Sequence, residues 1–237
     1  MGRIFEKRKD RMFARWAKTA KAFTKLGKEI AIAVKLGGPD PAGNPRLRMA
    51  IQTGRALNMP KDRIESAIKR ASSKDEASLQ EVSYEGYGPH GVAIVVETAT
   101  NNPTRTVANV RSIFVHHGGS LGTTGSLSYL FGRRGAFTVT PPKGDMDEFE
   151  LSMIDFGLED IFETESGLLL YCSFENFGTM QKALEERGLE VKSAGLQRYP
   201  MTTTALDEAQ QKELDEFVAE LEEDDDVQHV YHNVQLD

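Results

Sequence analysis

The sequence predicts a mixed α+β protein. Apolar residues recur at helical spacing up to about residue 72, and the period then changes to that of strands. From residue 135 to residue 204 the order reads strand, helix, strand, strand, helix, strand. That last order is the split βαβ of a ferredoxin-like unit. The expected architecture is an N-terminal helical bundle followed by two ferredoxin-like α+β domains, one inserted in the other.

The first element is a helix over residues 7–34. At about 100° per residue, Lys7, Arg11, Arg15, Lys18, Lys21, Lys25 and Lys28 share one face, and Met12, Trp16, Ala20, Phe23, Leu26 and Ile30 lie opposite. Residues 37–45 hold three prolines and three glycines and form a turn-rich link. Asn44 reads as an N-cap with Pro45 at the first helical position. Leu47, Ala50, Ile51 and Leu57 then recur on one side of a second helix, Asn58 and Met59 interrupt it, and Pro60 opens a third carrying Ile64, Ala67, Ile68 and Ala71.

Residues 92–96 are a buried-strand run, Pro103 starts a helix ending at Gly118 and Gly119, and residues 127–131 read as a further strand. Strands at 136–140, 160–163, 168–173 and 194–199, with helices at 147–156 and 177–187, make the split unit. A helix over 208–222 and a strand over 227–232 are left over. They complete what 92–131 lacks, which gives a helical domain at 1–78, a discontinuous middle domain at 79–133 plus 205–237, and an inserted domain at 134–204.

A chain of 237 residues buries a sizeable core without disulfides, and the single Cys172 has no partner for a bridge or a thiolate cluster. No apolar run exceeds five residues and no secretion signal is visible, so a cytoplasmic protein is expected. The net charge of -7 is unevenly divided. Residues 1–75 carry 19 Lys/Arg against 7 Asp/Glu, a net +12, whereas residues 76–237 carry 10 against 29, a net -19. From Arg3 to Lys28 ten basic residues face only two acids, so their repulsion is relieved only by negative charge from elsewhere. A basic module for a polyanion, on a body that repels one, follows.

Gly86, Gly88 and Gly91 match G-x-G-x-x-G, but they precede a strand and enclose Pro89, so a tight loop needing positive φ is the better reading than a dinucleotide site. Gly118, Gly119, Gly122 and Gly125 read as a helix C-cap and hairpin rather than a phosphate nest. His229 and His232 point to opposite faces of a strand. His116 and His117 are adjacent on a helix, with no carboxylate at ligand spacing, so no metal site is expected. No nucleophile elbow or P-loop is present and no acidic pair is placed in a cleft by sequence, so a non-enzyme without cofactor or small-molecule substrate is expected. The acidic run 222–226 reads as a solvated helix end, or as a segment that contacts a basic partner or folds over the N-terminal cationic face and competes with polyanions. Arg105 and Arg111, two of only ten basic residues after position 75, are candidate phosphate contacts.

The stretches FTKLGKEI (23–30), GGPDPAGNPRLR (37–48), NMPKDRI (58–64), YEGYGPHGVAI (84–94), NNPTRTVANVR (101–111), GGSLGTTGSLSYLF (118–131) and DVQHVYHN (226–233) resemble the YebC-type family, which includes the mitochondrial translational activator of cytochrome oxidase subunit I. They run in order along nearly the whole chain. The resemblance implies three domains, one of the two α+β domains inserted in the other, and a non-enzymatic role in gene expression, as a DNA-binding transcriptional regulator or as a ribosome-associated translation factor acting at proline-rich stalls. The family's usual opening, GHSKW, is replaced here by GRIFEKRKDRMFARW, which marks a divergent subgroup.

The residues expected to hold nucleic acid, duplex DNA or ribosomal RNA, are Lys7, Arg11, Arg15, Lys18, Lys21, Lys25, Lys28, Arg46, Arg48, Lys61, Arg63, Arg105 and Arg111. The helices opening at Pro45 and Pro60 resemble a helix-turn-helix, the second presenting Lys61, Arg63 and Lys69. No Asn or Gln stands near its start to read adenine, so phosphate affinity is expected rather than sequence choice.

Overall fold

In the computed structural model, which describes residues 2–73, 79–164 and 167–235 (backbone alone over 2–18), one helix, α1 (Gly2–Gly37), leads the chain. Its C-terminal half packs against α2 (Pro45–Ala56) and α3 (Lys61–Ala71) around Leu26, Ile30, Val34, Leu47, Ile64 and Ala67. Ala50 and Gly54 let the helices approach closely: a Cβ at Gly54 would lie 3.1 Å from both Leu26 and Ile64. Asn44 does two jobs. Its Oδ1 accepts from Leu47 N at 3.0 Å, capping α2, and its Nδ2 donates to Ala33 O at 2.7 Å and Gly38 O at 2.8 Å, closing α1. Asn44→Ala removes a cap and strands two carbonyls beside a side chain that is 3% exposed. It is expected to cost about 2–3 kcal/mol, read as a shift in the denaturant midpoint at unchanged slope.

The first sheet has strand order β3-β1-β2-β8, from β1 (Gln80–Tyr87), β2 (Ala93–Thr100), β3 (Ser120–Leu121) and β8 (Val227–His232), all antiparallel. The helices α4 (Pro103–His116) and α7 (Glu208–Glu223) cover one face. Ile94, Val96, Val110, Leu214 and Leu221 pack there, and Phe114 meets Phe217 edge to face at 5.0 Å. The opposite face carries Ala93 and Val95 against Leu127 and Phe131.

Three expectations are corrected here. Strand β1 was not anticipated. Residues 124–130 form turns, not the strand read at 127–131. Leu127 is apolar because it plugs the underside of the sheet, its N–H donating to the buried Glu85 carboxylate at 2.7 Å, and the next strand begins only at Phe131. The two central strands, β1 and β2, form a consecutive hairpin, whereas in a split βαβ the central strands are not consecutive. The middle unit is therefore not ferredoxin-like.

The second sheet comprises β4 (Phe131–Val139), β5 (Leu158–Thr164), β6 (Gly167–Ser173) and β7 (Val191–Pro200), in the antiparallel order β5-β6-β4-β7. With α5 (Met146–Ile154) and α6 (Phe177–Glu186) the chain order is β-α-β-β-α-β. Phe137, Val139, Leu168, Leu170 and Cys172 alternate inward onto Met153, Met180 and Leu184. Burial pushes the Cys172 thiol up to about 11, so it serves as core and not as a thiolate. The chain leaves the first sheet after β3 and returns through a bridge between Thr204 and Val234, so β8 pairs with β2 from the far end of the sequence.

Candidate nucleic-acid interface

The glycine-rich segments have structural explanations. His90 (φ 59) and Gly91 (φ 73) turn the β1–β2 hairpin, and Gly118 (φ 72) ends α4, with Gly119 N donating to Phe114 O at 2.7 Å. Asn102 caps α4 by accepting from Arg105 N at 3.1 Å.

The cationic residues divide into three groups. The side chains of Lys7, Arg11, Arg15 and Lys18 lie outside the described residues. A second group is turned onto the protein's own carboxylates. Lys28 Nζ lies 2.6 Å from Asp226 Oδ1 and also donates to Asp225 O at 2.8 Å and Ala99 O at 3.1 Å. Arg105 Nη2 reaches Asp226 Oδ2 at 2.6 Å, and the hydroxyls of Thr106 and Thr100 donate to the same oxygen at 2.8 and 3.1 Å. Burial alone would raise the Asp226 carboxyl. Hydrogen bonds from Lys28, Arg105 and Thr106 outweigh it and hold the group well below the usual carboxylate range. The turn after α7 thus plants its last acid between α1 and the positive N-terminal end of α4. Lys25 donates weakly to Gln228 O at 3.5 Å, and burial lowers its pKa against the pull of Glu222.

Arg46 binds two carboxylates in forked fashion, Glu29 at 2.8 and 3.2 Å and Glu81 at 2.5 and 3.0 Å. It fastens α2 to α1 and to β1, and those hydrogen bonds, that to Glu81 above all, raise its pKa further still. Arg48 donates to Pro41 O and Ala42 O at 3.3 and 3.4 Å, and stands 3.9 Å from Glu185.

The third group remains on the surface. Arg63 and Arg111 are exposed and make no ion pair among the described residues, Lys21 is half-buried with none, and Lys61 is loosely paired with Glu65 at 3.6 Å. Arg55, Lys69 and Arg70 join them, also exposed and without an ion pair among the described residues. Arg55 and Arg70 were not anticipated, although helical spacing offered the signal: Arg63 and Arg70 are seven residues apart and so share a side of α3. The structure therefore keeps α3 cationic outward and commits Lys28, Arg46 and Arg105 to internal pairs.

Residues 3–74 match the TACO1/YebC protein N-terminal domain, and residues 79–234 match the TACO1/YebC second and third domain. A probable transcriptional regulatory protein of Anaeromyxobacter dehalogenans strain 2CP-1 is 54% identical over 239 residues, covering 99% of this chain and 100% of its own. One from Flavobacterium psychrophilum is 49% identical over 235 residues, covering 99% and 100%. The crystal structure of a conserved hypothetical protein from Aquifex aeolicus superposes with a TM-score of 0.82 at 38% identity, covering 92% of this chain and 91% of that one. In sequence from end to end, and in fold over nine-tenths of its length, the chain belongs to the TACO1/YebC family.

Proposed function

We propose that this protein is a non-enzymatic, nucleic-acid-binding regulator of gene expression, with duplex DNA as its polyanion. It is built as a helical unit (1–78), a discontinuous middle unit (79–133 with 205–237) and an inserted ferredoxin-like unit (134–204). The carrying observation is the charge division, net +12 in residues 1–75, with Arg55, Arg63, Lys69 and Arg70 exposed on the helical unit. The description of the bacterial relatives as probable transcriptional regulatory proteins supports the same reading.

In this reading α2 and α3, joined by residues 57–60, approach the duplex together, and α3 supplies phosphate contacts. Binding is sequence-tolerant, because Lys and Arg on α3 hold phosphates and no amide stands at its start to read a base edge. With about six contacts, affinity falls about 10³-fold between 50 and 200 mM salt. The test is a duplex-DNA mobility shift run beside ribosome co-sedimentation at matched salt. A salt-sensitive DNA shift is expected. Retention on ribosomal particles without a DNA shift would replace DNA by ribosomal RNA, and binding to neither would end the proposal.

A further inference from the structure

We infer a divalent transition-metal site, of the zinc class, where α4 and α7 end side by side. His116 closes α4, His117 is its C-cap, and Glu220 lies in the last turn of α7, 103 residues away from His117. Glu220 Oε2 is 2.7 Å from His117 Nε2 and 3.5 Å from His116 Nδ1, and one ligand atom from each of the three residues lies within 4.8 Å of the others. A tetrahedral zinc with bonds of about 2.0–2.1 Å needs its ligands about 3.4 Å apart. Opening the His117–Glu220 hydrogen bond by less than about 1 Å and turning the exposed His116 ring inward meets that spacing. Two imidazoles and one carboxylate are a ligand set suited to zinc and its neighbours rather than to magnesium or calcium, which prefer oxygen alone.

Three further observations bear on the site. The negative poles of two helices converge here, since all three ligands sit in or next to the final turns of α4 and α7. Glu220 adds its own negative charge to those two poles. The second ligand is also held in place, because the His117 ring packs edge-on against Phe217 at 5.4 Å. An open cavity of about 270 Å³, lined by Asn109, Ser112, Ile113, Glu220 and Asp224, adjoins Glu220. Adjacent histidines on one helix do not chelate by themselves. What sequence spacing could not supply was the carboxylate that the fold brings from α7.

The experiment uses the untagged full-length chain, stripped with a chelator and titrated with Zn²⁺ by calorimetry, with thermal unfolding followed in parallel. One ion per chain and a raised unfolding midpoint are expected. His116→Ala, at a ring 73% exposed and therefore safe for folding, and Glu220→Gln should each weaken binding at least about tenfold while leaving the circular dichroism unchanged. Absence of binding, or undiminished binding in His116→Ala, overturns the site.

Discussion

Reversing Arg63, Lys69 and Arg70 together to Glu is expected to lower duplex-DNA affinity about 500-fold at roughly 0.1 M salt. Each phosphate contact contributes a factor of about [salt] to the power -0.9, close to eightfold at that concentration, and three are lost. The slope of log affinity against log salt should flatten by about 3, which separates lost phosphate contacts from a general loss of fold. The three side chains are exposed and make no ion pair among the described residues, so thermal stability should fall by only about 1 kcal/mol, the cost of two carboxylates in the last turn of α3. Unchanged affinity and slope would remove α3 from the interface. Arg46→Ala makes the contrast: it frees Glu29 and Glu81 from a forked ion pair and should act on stability more than on the salt slope.

Asp226→Asn is expected to destabilise the fold by about 2–3 kcal/mol, below the full penalty for breaking a buried pair because Arg105 remains half exposed. In a chain of this size that lowers the melting midpoint by about 5–10 °C. The same change releases Lys28 and Arg105, so polyanion binding should tighten as stability falls. A purely structural role would leave binding flat or weaker. The pH dependence has a definite sign. The folded-state pKa of Asp226 is depressed, so its contribution is fully present well above the ordinary carboxylate value of about 3.9 and is lost progressively as pH falls below it towards the native value. The wild-type protein should keep the contact through mildly acidic conditions, and Asp226→Asn should flatten the acid limb of the stability profile.

What could be read from the sequence followed the range of the interaction. Asn44 and Pro45 announced α2 because capping is decided within three residues, and the continuous apolar run at 168–172 announced β6. Strand β1 escaped because QEVSYEGY is polar, and Glu85 goes inside only to accept an N–H from Leu127, 42 residues on. The same distance effect turned 127–131 into an apparent strand. For the proposed interface, charge composition pointed to the first third of the chain, but it could not separate Arg63 from Lys28. That distinction depends on Asp226, one acid in a run of five that looks uniformly solvated. The basic face of the first helix before residue 19 rests on composition alone.

The pairing of β2 with β8 bears on the order in which the molecule is assembled. During synthesis the contiguous segment 131–200 emerges with every strand and helix of its own sheet in hand, and it is free to fold early. The first sheet must wait. Until residues 208–232 leave the ribosomal tunnel, β2 is an unguarded edge, and the row Val92, Ile94 and Val96 lacks the cover of α7. The nascent chain therefore carries a sticky, half-built platform while residues 101–207 are made, and α7 and β8 act as the latch that makes it safe.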